Sequence, residues 1–182
     1  MKNFFLTFFF IFIYFFGGLV AQELIIGEEK VNPGIKFIFE GAIKDIISPY
    51  SRNLSQELTN VHIEARVNWD DINIPKGAVP GGFIPYLKIN SLITNESTGM
   101  KTFIDLVPHI NLIDNFHYAR NISLPGKIDD YYKVEFTINP PSKYDLFYHK
   151  DWVNKNGSEF FLTKKFTYYN INFKEVAQAI RY

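Results

Sequence analysis

An all-β fold, an immunoglobulin-like antiparallel β-sandwich, is what the sequence predicts, and three observations predict it. After residue 21 the chain consists of short β-branched and aromatic runs separated by turn chemistry, with no internal repeat and no low-complexity linker. Seven such runs can be traced, at residues 35–43, 61–69, 83–94, 100–109, 117–124, 131–138 and 160–173. Two neighbours, 83–94 and 100–109, are joined by the hairpin loop Asn95-Glu96-Ser97-Thr98-Gly99.

The elements follow in order. In the second run Val61, Ile63, Ala65, Val67 and Trp69 alternate with His62, Glu64, Arg66 and Asn68, so one face is predicted to be core and the other polar. Pro140-Pro141 closes the run at 131–138, and Asn156-Gly157 lies within the loop-like stretch 143–158. Only residues 173–182 read as a short helix-like ending. Tyrosines and phenylalanines sit at strand spacing and read as core or interface. The acidic pairs Asp70-Asp71 and Asp129-Asp130 read as turn residues, without the oxygen-ligand spacing of an EF-hand.

A chain of 182 residues suits one domain with a short appendage. Its 47% hydrophobic and 21% charged residues supply a packed core and exclude a disordered chain. Basic and acidic residues both number 19, which gives no overall field for a polyanion, so nucleic acid is not an expected partner. There is no cysteine, which removes disulfides, thiolate metal sites and cysteine nucleophiles. A metal would have to be held by His, Met, Asp or Glu.

Residues 1–21 read as a secretory signal peptide: Lys2 gives a positive start, Phe4 to Phe16 is almost wholly apolar, and small residues precede cleavage after Ala21. The apolar stretch is short beside the roughly 20 residues that a membrane span requires. Residues 22–182 would then be a single exported domain without a span. Asn-x-Ser triplets at Asn53, Asn95, Asn121 and Asn156 keep an extracellular glycoprotein reading open.

Four histidines carry the chemistry: His62, His109, His117 and His149. Strand geometry sends His62 and Glu64 from one face about 6.5–7 Å apart, where an imidazole and a carboxylate suit a borderline cation. The other reading is a solvated strand face on which Glu64 pairs with Arg66 or a lysine. His109 ends one run and His117 opens the next, so they can face each other across a turn. A sandwich gathers its loops at two ends, which allows His149 to join them.

A family resemblance adds to this. Asn60-Val61-His62-Ile63-Glu64-Ala65-Arg66-Val67 resembles the His-hydrophobic-Glu-Ala segment of the periplasmic iron-transport proteins, small dimeric β-sandwich proteins associated with ferrous-iron uptake and copper binding. The segments Gly82-Phe83-Ile84-Pro85-Tyr86-Leu87, Leu106-Val107-Pro108-His109, Asp114-Asn115-Phe116-His117-Tyr118 and Tyr148-His149 resemble that family's motifs in the same order, over nearly the whole mature chain. The resemblance implies metal ligation by His62, His117 and His149, with Glu64 close by. His109 stands where the family has methionine, and Met100, nine positions earlier, is roughly 30 Å away along a strand. An imidazole there weakens a preference for Cu(I) and suits Cu(II), Zn(II) or iron. Asp114 matches an acidic position of the family and with Glu64 offers oxygen ligands for an adjacent iron ion; it reads equally as a turn former.

The resemblance thus implies a periplasmic copper- and iron-binding protein that assists ferrous-iron uptake through an inner-membrane iron permease, as a homodimer. Two other readings are an exported copper or zinc redox enzyme, for which three histidines with an open position are the minimum, and a structural or adhesive immunoglobulin-like module without metal. The chain has no nucleophile elbow, phosphate loop or metalloprotease helix motif.

Overall fold

The computed structural model describes residues 23–180, so the expected signal peptide lies outside the described residues. Among the described residues eight strands form: β1 (Leu24–Val31), β2 (Ile35–Ala42), β3 (Val61–Trp69), β4 (Lys88–Asn95), β5 (Lys101–Ile110), β6 (Phe116–Ile122), β7 (Tyr131–Asn139) and β8 (Lys164–Asn172). Two short helices accompany them, α1 (Lys150–Asn156) and α2 (Lys174–Gln178). The all-β antiparallel class is the one expected, with one strand more than the seven runs.

The extra strand is β1. It escapes a search for alternation because the register with β2 shifts between Ile25 and Gly27, which breaks the period of two. A side chain at Gly27 would collide with the ring of Tyr168 on β8, so the close approach of the first and last strands requires glycine there. The run expected over residues 83–94 becomes a strand only from Lys88, since Pro85 and the positive φ of Tyr86 (64°) interrupt it, and Phe83 keeps a single bridge to Asn68. The stretch 143–158, expected to be loop, contains α1.

The strand order is β1-β2-β3-β6-β5-β4-β7-β8, every pair antiparallel. β5 belongs to both halves: residues 101–106 pair with β4, and residues 107–110 pair with β6. The path bends there into two facing layers and nearly closes, with the Tyr168 hydroxyl donating to Glu29 Oε1 at 3.1 Å between β8 and β1. Alternation sends Phe37 and Phe39 of β2, Ile63 and Val67 of β3, and Val134 and Phe136 of β7 into the interior, where all are fully buried. Phe39 and Phe136 stack across the layers with centroids 4.1 Å apart.

The opposite face of the β2-β3-β6-β5 layer carries Glu40, His62, Glu64, Arg66, His117, Asn121 and His109, as the ladder registers dictate. The segment between β2 and β3, with 3-10 turns at Tyr50–Arg52 and Gln56–Leu58, lies against this face. That cover is why His62 and Glu64 are 3% and 1% exposed, which departs from the reading of this face as solvated.

Candidate metal centre

His109 and His117 are cross-strand partners at the mouth of the β5–β6 hairpin, and His62 lies on β3 beyond β6. Ring centroids are 5.3 Å apart for His62 and His109, 5.9 Å for His109 and His117, and 6.5 Å for His62 and His117. One nitrogen from each of the three falls within 4.8 Å of the others, a spacing at which they can share a cation. They line a cavity of about 390 Å³ whose walls also include Glu64, Asp45, Ile47 and Ser48.

The rings are oriented from behind. His62 Nδ1 lies 2.7 Å from Asn121 Oδ1, and His117 Nδ1 lies 3.1 Å from the Asn115 carbonyl oxygen. Both partners are acceptors, so both Nδ1 atoms donate and Nε2 is the lone-pair nitrogen of each ring in its neutral form, the arrangement usual for metal-bound imidazole. His62 Nε2 lies 3.6 Å from Glu64 Oε1. A neutral imidazole lone pair and a carboxylate at that separation attract only with a proton or a cation between them. The donor set therefore fits a borderline divalent ion. Burial holds the His109 imidazole at about 4, with smaller contributions from His117 and Arg120, so the ring stays neutral and keeps a lone pair at neutral pH.

The two remaining candidates, Asp114 and His149, are not part of the three-histidine group. Asp114 accepts from Asn111 Nδ2 at 2.8 Å and lies 3.7 Å from Arg66 Nη1. Arg66 is in turn bidentate on Glu40, at 2.6 and 2.5 Å, so Asp114 ends a carboxylate–guanidinium chain beside the histidines. Burial pushes the Glu40 carboxyl up, opposed by Arg66. This pairing also answers the expected Glu64–Arg66 contact: Arg66 reaches Glu40 instead. His149 is exposed just before α1 and lines a separate cleft of about 550 Å³ with Trp69, Phe147, Trp152 and Phe160.

Asn121 and the covering segment were not among the expected site residues. In the sequence Asn121 stands out only as part of an Asn-x-Ser triplet, and nothing in residues 43–60 signals a roof. The structure closes two of those triplets to a glycan, because the Asn95 and Asn121 side chains are buried and hydrogen-bonded.

Residues 20–175 match the model of the family described as Fe2+ transport protein. The chain belongs to this family. Among curated protein sequences none matches the chain. Family likeness extends to solved structures. A copper-bound variant of Campylobacter jejuni P19 is 26% identical, with a TM-score of 0.68 over 82% of this chain and 96% of that one. Copper-reconstituted P19 from the same organism is 25% identical, with a TM-score of 0.67 over 82% and 95%. A copper-bound variant of FetP from uropathogenic Escherichia coli strain F11 is 24% identical, with a TM-score of 0.67 over 81% and 95%, a likeness of fold. No helix among the described residues is long and apolar enough to cross a membrane.

Proposed function

We propose that this protein is an exported, copper-binding component of ferrous-iron uptake that works in the periplasm beside an inner-membrane iron permease. The observation that carries the reading is the convergence of His62, His109 and His117 within 4.8 Å, with Glu64 at 3.6 Å from His62. Three imidazoles and a carboxylate suit Cu(II), and copper bound there would supply a one-electron couple beside iron. The chain's own part is to orient the rings through their Nδ1 atoms and to limit access by water through the covering segment. Iron is the cargo. The closeness of Glu64 to His62 supports it as the carboxylate that meets iron, whereas Asp114 must first leave Arg66 and Asn111.

The leader at residues 1–21 and the membership of the family support the periplasmic setting. The two-layer antiparallel architecture supports the immunoglobulin-like reading of the sandwich. Two surfaces support a homodimer: the tip of the β5–β6 hairpin exposes Leu112 and Ile113, and the cleft beside His149 is aromatic. Seating the tip of one copy in the cleft of another would carry His149 of the second copy toward the three histidines and complete the implied ligand set.

Titration of the mature protein with Cu(II), followed by visible absorption and by sedimentation, tests this. The expected result is one copper per chain in a dimer, lost in His62→Ala and His117→Ala. A monomer that takes up no copper would leave the adhesive-module reading. Catalytic turnover of Fe(II) without retention of iron would make the protein an enzyme.

A further inference from the structure

Asn121 of β6 stands opposite His62 of β3 in the ladder and is 4% exposed. Its amide nitrogen donates to the Asp45 carbonyl oxygen at 2.8 Å and to the Leu54 carbonyl oxygen at 3.1 Å, while Oδ1 meets His62 Nδ1 at 2.7 Å. Those two carbonyls can only accept, so the nitrogen must be the atom facing them, and the amide cannot be flipped. An amide oxygen cannot donate, so neutral His62 must carry its proton on Nδ1. Asp45 and Leu54 flank the part of the covering segment that places Ile47 and Ser48 over the cavity. One side chain thus touches both the ring and its roof.

We infer that Asn121 is a positioning residue that locks His62 in its Nδ1–H tautomer and clamps the segment between β2 and β3 over the histidine cavity. The effect on metal rests on the copper reading above; the tautomer lock and the clamp are properties of the metal-free protein. Removing such a partner of a metal-bound histidine ordinarily lowers metal affinity by about 10–100-fold. The two halves of the role are separable chemically. Asn121→Asp keeps an oxygen acceptor for His62 and removes both donors to the roof. Asn121→Ala removes all three contacts.

The experiment is imidazole ¹⁵N NMR on the metal-free mature protein labelled at histidine, with amide hydrogen exchange of residues 45–54 and near-UV circular dichroism to verify folding. Wild type is expected to show His62 as the Nδ1–H tautomer alone. Asn121→Asp should keep that tautomer while exchange of the roof accelerates. Asn121→Ala should mix the tautomers, accelerate exchange, bind Cu(II) about 10–100-fold more weakly and change the copper hyperfine splitting. An Nε2–H tautomer in wild type overturns the inference, as does loss of the tautomer in a folded Asn121→Asp protein or its retention in a folded Asn121→Ala protein. Should Asn121→Ala not fold, the wild-type and Asn121→Asp tautomers decide. A wild-type protein with the Nδ1–H tautomer and no affinity for copper would support the lock and refute the copper reading.

Discussion

His109 and His117 stand directly opposite each other across the β5–β6 ladder, with ring centroids 5.9 Å apart. Burial, reinforced by His117 and Arg120, lowers the His109 imidazole to about 4. In the unfolded chain this ring takes up its proton near 6.5. The unfolded state therefore binds the extra proton throughout the interval between those values, and stability must rise with pH across it. Above about pH 6.5 His109 exerts no penalty; as pH falls toward about 4 the penalty grows, and below that it levels. Urea unfolding of metal-free protein at several pH values should show wild type losing more stability over this interval than His109→Gln.

On the proposed copper reading, the donor at position 109 should set the preference for oxidation state. His109→Met is expected to raise affinity for Cu(I) relative to Cu(II), on the order of tenfold, because a thioether is the softer ligand. Competition with chelators specific for each oxidation state reads the ratio. An unchanged ratio would place His109 outside the copper coordination.

Glu40, fully buried, pairs with the half-buried guanidinium of Arg66. Arg66→Met leaves a fully buried carboxylate without its guanidinium and should cost about 3–5 kcal/mol in denaturant unfolding. The second change Glu40→Gln should recover much of that loss, since it removes the stranded charge. A double variant no more stable than Arg66→Met would argue that Arg66 acts through packing instead.

Tyr118 ties the turn before β4 to β6. Its hydroxyl accepts from the Leu87 amide at 3.0 Å and donates to the Ile84 carbonyl oxygen at 2.9 Å, and burial pushes the phenol up to about 12. Tyr118→Phe strands both backbone groups and should cost about 1–3 kcal/mol without altering copper affinity. Unfolding and copper titration on the same sample separate these effects.

Phe136→Ala removes one half of the stacked pair that joins the two layers. A loss of about 3–5 kcal/mol is expected from the transfer and cavity contributions together. Thermal unfolding with and without Cu(II) should show the loss in both states.

Alternation along Val61–Trp69 made the placement of His62 and Glu64 on one face legible, because a period of two is a local property. The loop between His109 and His117 made their pairing legible for the same reason. What the pattern could not reveal was burial of that face, since residues 43–60 have no periodicity and their contacts to it run through Asn121, distant in sequence. Gathering all loops at the ends of a sandwich also overreached: the loop bearing His149 reaches a different cleft of the same chain. The first strand was illegible because its bulge shifts the alternation after three residues.

The histidines project from the outer surface of their layer, away from the phenylalanine-packed interior. Exchange of a donor at position 109 therefore need not disturb the interdigitated rings that stabilise the domain. On the proposed copper reading, the ligand set can therefore change at one position while the stacked phenylalanines of the interior keep their contacts.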